Sequence, residues 1–173
     1  SMGLTPLEGP IMGTRSGSVD PAAVCVIEEK EHLSGAEMND ILNKKSGLLG
    51  VSGVSSDCRD VVEAAEEGNK RAQLAFNMLV YQVKKLLGSY VAALGGVDVI
   101  VFTAGQGENG PETREAICKG MEFFGIQIDP EKNNVRGQDA DISPDGARVK
   151  TLVITTNEEL MIARETLAIV ENL

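Results

Sequence analysis

The 173-residue sequence has no tryptophan, a single histidine, His32, and only three cysteines, Cys25, Cys58 and Cys118. One histidine excludes a histidine-based catalytic triad or a multi-histidine metal site within this chain. The cysteines are widely spaced and form no Cys-x-x-Cys pair, so they fit reduced thiols better than a disulfide framework or a zinc site. We therefore expect a cytoplasmic protein.

Positive charge is also scarce, because 16 lysines and arginines stand against 26 aspartates and glutamates, giving a formal net charge of −10. Nucleic-acid binding requires a basic face, and acidic membrane surfaces attract basic ones, so we expect neither partner. No apolar run approaches the roughly 20 residues of a membrane-spanning helix. An anionic ligand of this chain must be held by local arginines, backbone amides or a metal ion.

Hydrophobic residues make up 42% of the chain, as is typical of a globular protein. Helix and strand patterns alternate along it, which predicts an α/β fold with a mixed sheet. A glycine-punctuated loop is expected at 47–53 and a buried strand at 97–103. The other expected elements are helices at 22–31, 38–45, 57–67, 70–94, 111–121 and 158–171, and strands at 126–128, 140–143 and 149–155.

Capping patterns and apolar spacing add detail to these helices. Asp20, followed by Pro21, is expected to cap the first helix, and Ser34 with Glu37 is expected to form a capping box before the second. Helix 70–94 has an apolar row at 75, 79, 83 and 87. Cys25 and Cys118 fall on apolar helix faces and are expected in the core.

The most informative segment joins the predicted strand 97–103 to a helix that begins at Pro111. Between them lie two closely spaced glycines, an acid and an amide, in the order Gly105, Gln106, Gly107, Glu108 and Asn109. Open α/β sheets bind ligands at the carboxyl ends of strands, where glycines let the backbone approach a phosphate that helix amides face. An ordinary strand–helix turn, whose glycines only relieve strain, fits the local sequence equally well. The segment is not a P-loop, because no Gly-Lys-Ser/Thr follows.

Two segments in the first half of the chain carry charged candidates. Arg15 lies between glycines in Met12–Gly17 and could bind phosphate oxygens through its forked guanidinium, although the segment alone favours a solvated loop arginine. Asp57 and Arg59, which flank Cys58, could face a ribose and a base. The simpler interpretation is that Asp57 only caps the following helix.

The last candidate is an acidic segment, residues 155–159, where a strand ends and the final helix starts. A carboxylate here could hold Mg²⁺, directly or through water. The alternative is a capping box, in which a threonine and a glutamate three residues later satisfy the helix start. Both Thr156 with Glu159 and Thr155 with Glu158 have that spacing, so the spacing does not tell which glutamate is free.

These four segments occur together in one order, and in that combination the chain resembles the acetate kinase family. The resemblance implies an actin-like, RNase H-like (ASKHA) ATPase-type fold with a mixed sheet flanked by helices. It covers essentially the whole chain and implies that residues 1–173 are the C-terminal, nucleotide-binding domain, without the N-terminal domain. The matching runs are Ser1–Gly9, Met12–Gly17, Ser46–Gly53, Ser55–Asp60, Phe102–Asn109 and Thr156–Leu160.

The family transfers a phosphoryl group reversibly between ATP and acetate, giving acetyl phosphate and ADP, with Mg²⁺. The resemblance implies that Arg15 stabilises the transferring phosphoryl group and that Glu158, rather than Glu159, is the Mg²⁺-associated acid. The nucleotide-binding residues that it implies are Asp57, Cys58, Arg59, Gly105, Gln106, Gly107, Glu108 and Asn109.

Three positions depart from the family pattern. Gln106 replaces an aliphatic residue between the two glycines, Cys58 is smaller than the usual residue, and Thr155 stands where proline or lysine is frequent. The first two leave the exact shape of the adenine pocket open. None of the three removes a charged catalytic group.

The resemblance also bears on partners and on activity. The family dimerises through this domain, so a homodimer is expected. The remaining catalytic groups belong to the N-terminal half, so we expect this chain alone to lack kinase activity and to bind ATP weakly. Propionate and butyrate kinases share most of these motifs, and a non-catalytic domain for dimerisation or nucleotide binding is an alternative of a different class.

Overall fold

The computed structural model describes residues 3–172 and divides the chain into two compact units, one ending at Ala93 and one beginning at Leu94. Ser1 and Met2, which open the first family-like run, and Leu173 lie outside the described residues. Unit 1 is helical. Its helices are α1 (Pro21–Glu31), α2 (Gly35–Lys44), α3 (Gly47–Ser52), α4 (Cys58–Glu66) and α5 (Lys70–Leu94), the last of which ends one residue past the boundary.

Local capping chemistry explains where α1 and α2 begin. The Asp20 carboxylate accepts from the Ala22 amide at 2.9 Å, and Pro21 occupies the first turn, where a missing N–H costs nothing. At α2, Ser34 and Glu37 form a full capping box, with each side chain accepting from the other residue's backbone N–H. Both predicted N-caps are confirmed, although α2 begins at Gly35 rather than at Met38.

One core cluster holds unit 1 together, and α5 crosses it. Part of the predicted apolar row of α5 is buried as expected, at Ala75 and Leu79, and Val83 packs partly against the cluster. The expectation that Cys25 lies in the core is wrong, because α1 has no buried residue and Cys25 is exposed. The buried members of the cluster are Ile11, Leu48, Cys58, Val61, Ala72, Ala75 and Leu79.

The expected loop at 47–53 is instead the helix α3, and tertiary hydrogen bonds are the reason. The Leu48 and Leu49 amides donate to the carbonyls of Met12 and Gly13 at 2.8 and 2.9 Å, so distant backbone satisfies the start of the helix. Gly47 has φ +66°, and a Cβ there would lie 2.2 Å from the Met12 carbonyl oxygen. Glycine content lowers helix propensity, but these contacts override it.

Unit 2 contains a three-stranded mixed sheet, which confirms the predicted α/β class. Strand β1 (Val99–Phe102) pairs in parallel with β3 (Lys150–Val153), and β2 (Ala140–Asp141) pairs antiparallel with the other edge of β3. The chain passes from β1 into α6 (Ala104–Asn109) and α7 (Pro111–Cys118), and β3 leads into α8 (Glu158–Glu171). The carboxyl ends of β1 and β3 thus both lead into candidate site segments.

Several expectations for unit 2 need correction. Strand β1 is not buried on both faces: Ile100 is buried, whereas Val99 and Val101 are 47% and 46% exposed. No strand forms at 126–128, although Ile126 is fully buried. The last helix, α8, has the predicted bounds. Among the described residues, none of the helices has both the length and the apolar character needed to cross a membrane.

Replacing Gly47 with Ala should destabilise the protein by about 3 kcal/mol, because it combines left-handed strain with a clash against backbone. Urea unfolding followed by far-UV circular dichroism measures this loss. Gly68→Ala is the matched control, since Gly68 has φ +95° but no atom within 4 Å of the added Cβ. It should cost only about 1 kcal/mol. Equal losses in the two variants would contradict the role given to the Met12 contact.

Candidate functional site

Arg15 lies in a loop whose backbone is fixed on both sides. Within this Arg15 loop (residues 12–16), the Met12 amide donates to the Arg15 carbonyl at 3.1 Å. The Ser46 amide, just before α3, donates to the Thr14 carbonyl at 3.0 Å. The loop therefore takes its shape from α3, and this explains why a glycine-rich helix accompanies the arginine in the sequence.

The charge of Arg15 is left for another partner. Its side chain is half-buried, and its Nη1 atom donates to the Met12 sulfur at 3.7 Å, a weak acceptor. Among residues 3–172, no carboxylate forms an ion pair with this guanidinium. A fixed backbone that carries a guanidinium without a carboxylate partner suits recognition of an anion.

Asp57 and Arg59 lie next to the Arg15 loop, because a Cβ at Gly13 would come within 2.7 Å of the Ser56 carbonyl oxygen. The Asp57 carboxylate caps α4 by accepting from the Arg59 amide at 2.9 Å. It also forms an ion pair with the Arg59 side chain at 2.5 Å, and this hydrogen bonding lowers the pKa of Asp57 to about 2. Capping is thus one role of Asp57.

Cys58, between these two residues, points away from the solvent. Its side chain is 7% exposed and belongs to the core cluster of unit 1. The surface of this segment therefore consists of Asp57 and Arg59, with Arg59 the more exposed side chain of the pair.

The segment 105–109, expected as a turn, forms the short helix α6, and its two glycines differ in purpose. A Cβ at Gly107 would lie 3.1 Å from the Phe102 carbonyl carbon, so close packing restricts this position. Gly105 is exposed, has no atom within 4 Å of an added Cβ and does not have a positive φ. Neither packing nor conformation within the chain requires glycine at 105. Ala104, just before it, has φ +59°, a strained value for alanine.

Glu108 joins α6 to the segment that precedes α8. Its carboxylate accepts from both the amide and the hydroxyl of Thr156, each at 2.8 Å. These bonds, the amide bond first, lower the pKa of Glu108. A second pair lies beside it, since the Asp139 carboxylate accepts from the amide and hydroxyl of Thr155, also at 2.8 Å.

Neither of the expected capping boxes forms at α8, because both threonine side chains are engaged elsewhere. Asn157 is the N-cap instead, and its Oδ1 atom accepts from the Leu160 amide at 2.9 Å. Glu158 and Glu159 occupy the first turn and are both exposed. Glu158 follows Thr156, the hydrogen-bond partner of Glu108, by two residues.

Both glutamates fit the oxygen chemistry of Mg²⁺. In the described part of the chain, neither the Glu158 nor the Glu159 carboxylate is engaged by a salt bridge. No group of three His, Cys, Asp or Glu side chains within residues 3–172 could hold a metal. Mg²⁺ commonly binds one or two carboxylates together with water and substrate phosphates, so a single carboxylate is compatible with it.

Comparison with known proteins identifies the family. A model described as "Acetokinase family" matches residues 1–164. The chain belongs to the acetokinase family. It is 60% identical over 170 residues to an acetate kinase from Dictyoglomus turgidum, covering 98% of this chain and 42% of that protein. It is also 60% identical over 174 residues to one from Thermoanaerobacterium thermosaccharolyticum, covering 100% and 44%.

Solved acetokinase-family structures share the fold, which is of the expected actin-like type. The Porphyromonas gingivalis acetate kinase superposes with a TM-score of 0.91 at 50% identity, over 97% of this chain and 42% of that one. A propionate kinase from Francisella tularensis gives 0.87 at 41% identity, over 95% and 42%. The chain thus spans less than half the length of the relatives that it matches.

One residue of this site, Arg114, was not singled out from the sequence. Arg114, on α7, is fully buried, and its Nη1 atom donates to the Gly107 and Glu108 carbonyls of α6. A sequence signal existed, since Arg114 lies three and four residues before the buried Ile117 and Cys118, on the apolar side of the helix. A charged residue on such a face indicates a specific buried partner.

Replacing Thr156 with Val should raise the pKa of Glu108 part of the way to its ordinary value of 4.5, because the hydroxyl donor is lost and the amide remains. Carboxyl chemical shifts followed against pH measure it. Thr156→Ser should retain the lowered pKa. The pKa of Asp139 serves as an internal control and should change much less, since its hydrogen-bond partner is Thr155.

The same substitution should change the acid dependence of stability. A native pKa below the unfolded value stabilises the protein above that unfolded value, and this stability is lost as the pH falls through the native pKa. Thr156→Val should therefore be less stable at neutral pH and lose less stability on acidification below about pH 4.5. An unchanged Glu108 titration would contradict the hydrogen bond.

Proposed function

We propose that this chain is the C-terminal, nucleotide-binding portion of a kinase that transfers a phosphoryl group reversibly between ATP and acetate. The observation that carries the proposal is the open position at Gly105. Glycine there serves neither packing nor backbone conformation within the chain, so close approach of a ligand is the remaining physical reason for it. The identities of the nucleotide and of the acceptor are taken from the family, because relatives of this chain are named acetate kinases.

The residues of α6 divide into two roles under this proposal. Gly105 and Gln106 are exposed, and we assign them contact with the nucleotide. The other predicted residues hold the helix in place. Gly107 packs on β1, the Glu108 carboxylate accepts from Thr156, and the Asn109 side-chain Nδ2 atom donates to the Gly105 carbonyl at 3.0 Å.

Asp57 and Arg59 supply the adenosine contacts of unit 1, with Cys58 packing beneath them. Arg59 is the more exposed partner and can leave Asp57 without exposing a buried group, because neither side chain is buried. Exposed ion pairs contribute little to stability, so exchanging the carboxylate for a ligand group is inexpensive. This supports a binding role for Arg59 beside the capping role of Asp57.

The chemistry needs charge stabilisation more than covalent work by the protein. Arg15 supplies a permanent positive charge in a fixed loop and binds the oxygens of the transferring phosphoryl group. Glu158, with Glu159 beside it, offers oxygen ligands for Mg²⁺. When bound, the ion would neutralise phosphate charge.

The propionate kinase among the structural neighbours keeps a second acceptor open. Propionate differs from acetate by one methylene, and the groups that would discriminate between them are expected in the N-terminal portion.

We also propose that the protein forms a homodimer. Exposed apolar side chains along α5, at Leu74, Tyr81 and Tyr90, support this proposal. A cytoplasmic location is proposed as well. The non-catalytic alternative describes the behaviour expected of this chain by itself.

The purified 173-residue chain should form no measurable acetyl phosphate from ATP and acetate, and its affinity for MgATP should be weak. The reason is that the proposal leaves the acceptor site and other catalytic groups outside this chain. Coupled assay of ADP release and isothermal titration calorimetry measure the two quantities. Turnover above background, or submicromolar affinity, would contradict the proposed division of the active site.

Arg15 and Arg59 should affect different kinetic parameters, kcat and the KM for ATP respectively. The test uses a chain extended with the N-terminal portion present in acetate kinase relatives. Arg15→Ala should lower kcat about a thousandfold with little change in the KM for ATP, because its charge acts on the transition state. Arg59→Ala should raise the KM for ATP about tenfold with little change in kcat. Similar kcat values for the Arg15→Ala and unmodified proteins would refute the assigned role.

A further inference from the structure

Arg114 is a buried cation without a buried anion. It is 0% exposed, and within residues 3–172 its guanidinium donates to neutral oxygens and forms no ion pair. The Nε atom donates to Asn133 Oδ1 at 2.8 Å, and Nη2 donates to the Asn133 and Val135 carbonyls at 2.7 and 2.8 Å. The Nη1 atom donates to the Gly107 and Glu108 carbonyls at 2.8 and 3.1 Å. All five donors of the side chain are therefore used.

Neutral oxygens give this charge less stabilisation than a carboxylate would, and burial lowers the pKa of Arg114 from its ordinary value. The arrangement is tolerated because the planar fork fits five fixed acceptors at once, which a lysine ammonium with three donors cannot do. Asn133 is itself held, since it is 3% exposed and its Nδ2 atom donates to the Pro111 carbonyl at 2.9 Å. Asn133, which supplies two of the five acceptors, is thus held by a contact other than those with Arg114.

Arg114 donates hydrogen bonds to carbonyls at the C-terminal end of α6. The last four carbonyls of a helix have no partner within it, and a six-residue helix is unstable by itself. The Gln106 carbonyl accepts from the Gly110 amide, and the Asn109 carbonyl accepts from the Arg136 side chain. Arg114 supplies donors to the two carbonyls between them, and the Gly137 amide adds a bond to Glu108 O at 3.2 Å.

We infer that Arg114 is a positioning residue for the nucleotide site: it fixes α6 to the segment 133–137 and so determines where Gly105 and Gln106 stand. The nucleotide part of this inference rests on the proposed function, whereas the fixing of α6 rests on the contacts alone. Arg136 bonds the same helix end but is exposed and pairs with Glu112 at 2.7 Å, so it provides a natural comparison.

Amide hydrogen exchange of the 173-residue chain tests the fixing of α6. Arg114→Lys keeps the charge and loses the fork, and the exchange of the Gly110 and Gly137 amides should accelerate at least about tenfold, as expected from losing one hydrogen bond to a charged group. Arg136→Gln should accelerate them much less. Unchanged exchange in a folded Arg114→Lys protein overturns the inference.

Titration with MgADP, followed through amide chemical shifts, tests the consequence for the ligand. Arg114→Lys should raise the Kd at least about tenfold, because α6 no longer holds one position. Ile142→Ala, which opens a cavity at another fully buried site of unit 2, should lower global stability and leave the Kd unchanged. An equal rise of Kd in both variants would assign Arg114 a merely structural role.

Two further results keep the test decisive. If MgADP shifts no amide of α6 in the unmodified chain, the proposed function fails, while the exchange measurements still decide the fixing of α6. If Arg114→Lys does not fold, Asn133→Ala is used instead, because it removes only the bond from the Arg114 Nε atom and the bond from Asn133 Nδ2 to the Pro111 carbonyl. The Gly137 amide should then exchange faster, and unchanged exchange there overturns the inference.

Discussion

The pairing of backbone groups at the ends of short helices is the constraint on which the candidate site depends. Helix α6 has six residues, and every such helix leaves carbonyls without partners at its C-terminus. A buried guanidinium solves this with one side chain, because Arg114 binds two of those carbonyls and three more acceptors in residues 133–135. The position of α6 is thus a consequence of hydrogen bonding made from outside the helix.

The same constraint shapes the Arg15 loop in unit 1, with the direction reversed. There the unpaired groups are the first amides of α3, and the carbonyls of Met12 and Gly13 accept from them. Gly47 is needed because a side chain would occupy the space in which this exchange takes place. In both units, hydrogen bonds from outside the short helix hold the segment. Among residues 3–172, no carboxylate pairs with the Arg15 guanidinium, and no atom lies within 4 Å of a Cβ added at Gly105.

Sequence reasoning succeeded where local chemistry decides the structure. The caps at Asp20 and Ser34 and the bounds of α5 and α8 follow from neighbouring residues and from apolar periodicity. It missed α3 and α6, whose glycines predict loops and whose ends find hydrogen-bond partners outside the helices themselves. The cap of α8 was wrong for the same reason, since Glu108 is 48 residues from Thr156 and no local pattern contains that pairing.

A motif can therefore contain residues that serve a ligand and residues that serve the fold, and the letters alone do not separate them. Gly105 has an open face, but Glu108 faces Thr156 and Asn109 bonds back to Gly105. The carboxylate of Glu108, which a nucleotide phosphate would repel, makes physical sense as a link to the segment bearing Glu158. Through that link, displacement of α6 would also displace the segment bearing Glu158, so under the proposed function Arg114 and Glu108 together would couple the position of the nucleotide to that of the metal ion within unit 2.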